Sequence, residues 1–183
     1  MKVFGIDPGS ARTGYGCVQT DGTHHSLVAC GAIRIPVEHP FPKKLQTIHA
    51  ELATLLARHR PDFVAIENLF HAMNARSALR LGHARGVAML AAEEAGVPIV
   101  EYTPAEVKQA VVGYGRAEKS QVQTMIQLIL RLQTPPSPHD ASDALAIAIC
   151  HVHRTNMPGN AVRTIRSSST SRASSWRAFR LPR

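Results

Sequence analysis

KVFGIDPGSARTGYGCVQTDGTHHSLVACGAIRI, residues 2–35, holds three strand-length segments separated by short breaks. Residues 2–7 read as one strand, 14–20 as a second and 24–35 as a third. The last two are joined through Asp21-Gly22, a dipeptide suited to a tight hairpin. Three strands so closely linked predict an antiparallel meander. Beyond them the apolar period changes. Leu45, Ile48, Leu52, Leu55 and Leu56 recur at helical spacing, and Pro61 lies just after that helix. Residues 63–67 then read as a buried strand, about 74–94 as a long helix stopped by Gly96, and 98–101 as another short strand. Thr103-Pro104-Ala105-Glu106 is a capping box with proline at the first helical position, so a helix starts there and runs to about 112. After the glycine-rich break at 113–116, residues 118–132 are expected to be helical. A proline cluster at 135–138 leads to a last helix at about 139–153. The order β-β-β-α-β-α-β-α-α-α predicts an α/β fold: one mixed five-stranded sheet, an antiparallel three-strand meander followed by parallel strands, with helices on both faces.

Acids fall where these elements end or begin. Asp7 closes the apolar run 3–6 and is followed by Pro8-Gly9-Ser10, while Glu67 closes the run 63–66. Asp140 and Asp143 open the apolar stretch 144–150, and their i, i+3 spacing puts both on one face of the last helix, expected within its first turn. Taken singly, Asp7 also suits a turn, and Asp140 with Asp143 also suits a helix cap that complements the helix dipole. Glu67 resists such a reading, because a lone carboxylate beside a buried sheet is costly unless it is paired or bound to a cation. Together the four suggest a polar cluster that binds metal. Oxygen-only ligands favour hard cations such as magnesium, with manganese able to substitute. Two such ions about 4 Å apart activate a water and stabilise the leaving oxygen of a phosphodiester. His139, beside Asp140, is an auxiliary candidate that suits either a contact to the scissile phosphate or an exposed helix start. His24, His25, His39 and His59 read as surface residues.

The net charge of +8 is unevenly distributed. Residues 160–183 carry six arginines (163, 166, 172, 177, 180 and 183) and no acids. That leaves 15 basic against 13 acidic residues over 1–159, and 15 against 9 once the four candidate acids are set aside. A moderately basic body around an acidic centre suits an anionic substrate that reaches carboxylates through bound cations. The length suits one domain, expected over 1–157, followed by a basic Ser/Arg-rich tail over 158–183 that is expected to be disordered. No apolar run approaches the roughly 20 residues needed to cross a bilayer, and the first residues enter a strand directly, so neither a membrane anchor nor a secretion signal is expected. Cys17, Cys30 and Cys150 are scattered and lack C-x-x-C spacing. They read as small core residues of a cytoplasmic protein rather than zinc ligands or disulfides.

Four segments in order, FGIDPGSARTGYG (4–16), VAIENLFHAMNARSALRLGHARGVAML (64–90), EYTPAEVKQAVVGYGRAEKSQVQTMI (101–126) and HDASDALAIAI (139–149), resemble the RuvC family. These are the bacterial Holliday-junction resolvases of the ribonuclease H-like superfamily. The resemblance covers about residues 1–157. It implies a cytoplasmic, homodimeric, magnesium-dependent endonuclease of recombination and repair that nicks two strands of like polarity at a four-way DNA junction. It implies too that Asp7, Glu67, Asp140 and Asp143 are the catalytic acids that bind metal, most simply two ions. Phe70 corresponds to an aromatic expected to stack on a base, and Lys108 and Lys119 to basic residues near the DNA backbone. Arg76 and Arg116 are further candidate phosphate contacts. The long helix through Arg76 resembles the element that pairs two subunits, and a RuvA–RuvB branch-migration complex is an implied partner. Nothing carries over to the tail, where Trp176 and Phe179 stand among arginines.

Other readings remain open at this point. A different ribonuclease H-like nuclease would act on RNA or RNA–DNA hybrid. A sugar-kinase or actin-like nucleotide binder would also pair an aspartate with glycines in its first hairpin, as Asp7, Gly9 and Gly14 loosely do, but needs two such domains. A junction-binding protein with a dead site would not need all four acids.

Overall fold

A computed structural model describes residues 1–68 and 75–155. The strands are β1 (Lys2–Asp7), β2 (Arg12–Thr20), β3 (His25–Arg34), β4 (Phe63–Glu67) and β5 (Ile99–Tyr102). The helices are α1 (Phe41–His59), α2 (Ala75–Glu94), α3 (Pro104–Val112), α4 (Lys119–Ile129) and α5 (His139–Thr155). They form a five-stranded sheet in the order β3-β2-β1-β4-β5. The first three strands are the antiparallel meander, and β4 and β5 are parallel to β1. The element order and sheet type match expectation. β2 begins two residues earlier than expected, because Arg12 and Thr13 already pair with Arg34 and Ile33. Helix α4 stops at Ile129, with Arg131 in a left-handed conformation just beyond it.

Alternation along β1 sorts the core into two layers. Phe4 and Ile6 pack with Ile48, Leu52 and Leu56 of α1 and with Ala84, Ala88, Ala91 and Ala92 of α2. Val3 belongs to the other layer, with α3, α4 and α5. Helix α2 therefore meets the body through alanines, while Leu79 and Leu90 point outward. Every residue of α5 from Ala144 to Val152 is buried, as expected of a helix covered by a sheet on one side and by helices on the other.

Glycines decide how closely α5 lies on the sheet. A Cβ added to Gly5 would sit 2.0 Å from the Ala144 carbonyl oxygen, and one added to Gly16 would sit 2.7 Å from Leu145 Cγ. Gly5 and Gly16 are partners in the β1–β2 ladder, so backbone meets backbone over a smooth strip of sheet. At the entry to α5, the buried Ser142 hydroxyl donates to the Pro136 carbonyl at 2.9 Å. The expected capping box of α3 is present: the Thr103 side chain accepts from the Glu106 N–H, and Glu106 Oε2 accepts from the Thr103 N–H at 2.8 Å.

One buried polar group has a pH consequence. His151 is fully buried; its Nδ1 lies 2.8 Å from the Tyr102 hydroxyl, and its Nε2 has no partner among the described residues. Burial pushes its pKa down to about 4. A histidine depressed in the folded state contributes stability that is present at neutral pH and is lost as pH falls from 6.5 towards 4. The stability advantage of wild type over His151→Leu should shrink by about 3 kcal/mol across that window, measured by urea unfolding. A difference that does not change with pH would exclude this account.

Candidate active site

Two parallel strands set the first pair of acids side by side. Ile6 of β1 pairs with Ile66 of β4, so the next residues, Asp7 and Glu67, end neighbouring strands at the same edge. Ile6 and Ile66 face α1 and α2, so alternation turns Asp7 and Glu67 onto the α5 face of the sheet. The turn after Asp7 is closed by Thr13, whose buried hydroxyl donates to the Gly9 carbonyl at 3.0 Å and accepts from the Gly9 N–H at 3.4 Å. Helix α5 brings the second pair. Asp140 lies in its first turn, but Asp143 does not: the helix begins at His139, which puts Asp143 in the following turn. The i, i+3 spacing still keeps both on one face. Gly14, partner of Asp7 in the ladder, admits this end of the helix, since a Cβ there would sit 2.0 Å from the Asp140 carbonyl oxygen.

A cavity of about 280 Å³ opens at this edge, lined by Asp7, Glu67 and Asp143 together with Lys108, Lys119, Pro104, Val107, Val122 and Ala146. Asp140 is not in its wall, yet is near enough for its charge to act on Asp7. Burial, then repulsion from Glu67, Asp143 and Asp140, pushes the Asp7 pKa up to about 7, against the opposing pull of Lys119. Burial and Asp143 also raise Glu67, with Lys119 and Lys108 acting the other way. Lys119 Nζ donates to Asp143 at 3.2 Å, and that carboxylate raises the lysine's own pKa.

The other expected site residues fall into distinct groups. Lys108 and Lys119 reach the acids, from α3 and from the start of α4. Arg116 is exposed in the link between those helices, Arg76 is exposed at the start of α2, and His139 is exposed at the start of α5. Phe70 and the tail 158–183 lie outside the described residues. Of the four histidines read as surface residues, His24 is exposed, whereas His25, His39 and His59 are half-buried. Sequence reasoning missed Arg12, whose guanidinium stands 3.9 Å from Asp140. An arginine five residues after Asp7 carries no periodic signal, and only the sheet register reveals it.

The donor set suits a hard cation, being entirely carboxylate oxygen and electrostatically crowded. Among the described residues no three His, Cys, Asp or Glu side chains converge as a ready-made coordination group. Asp143 and Asp140 instead pair with the exposed cations Lys119 and Arg12, at 3.2 and 3.9 Å. No described helix is long and apolar enough to cross a membrane.

A family model described as crossover junction endodeoxyribonuclease RuvC matches residues 3–151. The chain belongs to the RuvC family. A curated RuvC from Pelotomaculum thermopropionicum is 50% identical over 153 residues, which are 84% of this chain and 93% of the relative. One from Pelobacter propionicus is 49% identical over 180 residues, covering 98% of this chain and 99% of the relative, so that likeness extends through the arginine-rich end. Among solved structures, Thermus thermophilus RuvC in complex with Holliday junction substrate is similar with a TM-score of 0.82 and 38% identity, over 85% of this chain and 95% of that one. The mixed sheet with helices on both faces is therefore the RuvC fold, of ribonuclease H-like type.

Proposed function

We propose that this protein resolves four-way DNA junctions in recombination and repair, nicking two strands of like polarity by hydrolysis of a phosphodiester. The observation that carries the reading is the meeting of Asp7, Glu67, Asp140 and Asp143 at one sheet edge, where burial and then the neighbouring acids hold Asp7's pKa near 7. Its support is membership of a family whose solved relative was captured with Holliday junction substrate.

The four acids would hold magnesium, as two ions, with manganese able to replace it. A bound ion of this kind supplies charge stabilisation for the transferring phosphoryl group and a more acidic water. The chain's own cations do the rest. Lys119 and Lys108, on the cavity wall, attract the scissile phosphate and hold it over the acids. Arg12, Arg76 and Arg116 are exposed and suit flanking phosphates, which position a duplex without reading its sequence. Phe70 takes the stacking role at the crossover, where base–aromatic stacking is worth about 1–3 kcal/mol. Two copies would pair through α2, whose outward face carries Leu79, Gly82, Gly86 and Leu90; added Cβ atoms at both glycines would meet open space. A RuvA–RuvB motor would deliver the junction. The catalytic domain ends near residue 157, and the arginine-rich segment after it adds non-specific affinity for DNA.

The deciding experiment incubates the full chain with a synthetic mobile junction and magnesium, and maps the cuts. Paired nicks at symmetric positions, sealable by ligase, are expected. Equal cutting of linear duplex or of RNA–DNA hybrid would replace this reading with that of a general ribonuclease H-like nuclease. An uncut junction would end it.

A further inference from the structure

On the side of the sheet away from the cavity, Arg85 of α2 forms an ion pair through Nη2 with Glu101 Oε1 of β5. The two side chains are only 23% and 21% exposed, too buried for an incidental surface pair. Glu101 is the ladder partner of Ile66, the residue before Glu67. The same guanidinium has a second contact: Arg85 Nε donates to the backbone carbonyl of Glu67 at 3.4 Å. One planar group thus holds the end of β4 from behind, while the Glu67 side chain lines the cavity in front.

We infer that Arg85 is a positioning residue for Glu67, fixing the backbone from which that carboxylate projects, with Glu101 orienting the guanidinium. Asn68 N–H donates to the Tyr102 carbonyl at 2.8 Å, and beyond it the described chain stops until residue 75. The end of β4 is thus tied to β5 on one side, and the Arg85 bond reaches it from α2. Arginine suits the task where lysine does not. Its fork presents Nε and Nη donors at once, so one side chain serves both the Glu101 carboxylate and the Glu67 carbonyl. Because Arg85 sits on α2, the strain or seating of that helix is transmitted to one of the acids. The inference rests on the reading of Glu67 as a catalytic acid.

The test separates positioning from simple anchoring. Arg85→Lys keeps a cation for Glu101 but loses the fork whose Nε reaches the Glu67 carbonyl. Groups that orient metal ligands typically account for about 10–100-fold in activity or metal affinity, so Arg85→Lys should lower kcat by that order while junction affinity in metal-free buffer changes by less than about twofold. Without DNA, the magnesium concentration giving half the maximal rise in melting temperature should increase in the same variant. Glu101→Gln, which spares Nε, should affect both less. An Arg85→Lys protein with wild-type kcat and wild-type magnesium dependence would overturn the inference. Should the wild-type protein leave junctions uncut, the junction reading fails, and the magnesium-dependent melting still decides the role of Arg85.

Discussion

Asp7→Asn protein should leave a four-way junction uncut and yet melt at a higher temperature than wild type in metal-free buffer above pH 7. The loss of cutting follows from removing one acid from the centre of the site. On the proposed reading, several kcal/mol of charge stabilisation would depend on a correctly held ion, which corresponds to at least ~10³-fold in rate. The gain in stability follows from the burial and then the crowding of Asp7 among the other acids. Asp7 has a folded pKa near 7 against an ordinary 3.8. Between those values the folded protein keeps a proton that the unfolded chain gives up, so stability falls as pH rises from 3.8 to 7 and stays low above it. The cost at neutral pH is on the order of 2–4 kcal/mol. Asparagine has nearly the same shape and no charge, and escapes it. Differential scanning calorimetry across pH 5 to 8 would read the gap between the two proteins, widening towards pH 7. Magnesium should then raise the wild-type melting temperature more than the variant's. Equal melting at pH 8 without metal would show that Asp7 is not held against repulsion.

Gly14→Ala should cost both stability and activity, although it adds a single methyl group. The new Cβ would lie 2.0 Å from the Asp140 carbonyl oxygen, 2.6 Å from its carbon and 3.1 Å from its Cβ. These are backbone atoms, or directly attached to backbone, and cannot swing aside. The first turn of α5 must lift, carrying Asp140 away from Asp7, which faces Gly14 across the ladder. Overpacking of this kind costs about 1–3 kcal/mol and sometimes more, and a displacement of about 1 Å at reacting groups costs on the order of 10²-fold in rate. Gly31→Ala makes a useful comparison. Its Cβ meets the end of the Tyr15 ring, with the hydroxyl at 2.7 Å, and a side chain can yield where backbone cannot. Gly14→Ala protein that melts and cuts like wild type would show that the close approach of α5 is not needed.

Local pattern carried most of the architecture. The meander, the capping box at Thr103 and the buried last helix are each written in a short window of sequence, and all appear where expected. The four acids were legible because each sits at the boundary of an apolar run. Their relation was not, since it depends on the β1–β4 register and on the glycines that let α5 settle. Contacts between distant segments escaped for the same reason: Arg12 with Asp140, Arg85 with Glu101 and Tyr102 with His151 have no periodic signature. Which face of α2 meets the core was not legible, and the structure shows that alanines, not Leu79 or Leu90, do so.

The position of β1 in the middle of the sheet has a consequence for the cell. Its neighbour β2 is the next strand to be made, whereas its other neighbour β4 begins at residue 63 and the helix supplying the last two acids begins at residue 139. Contacts so far apart in the chain form late, after the loops between them have closed. A partly synthesised chain has the meander and two of the four acids, but nothing to complete the site. On the proposed reading of the four acids, competence to cut DNA therefore waits for the docking of α5, which brings Asp140 and Asp143 to the sheet.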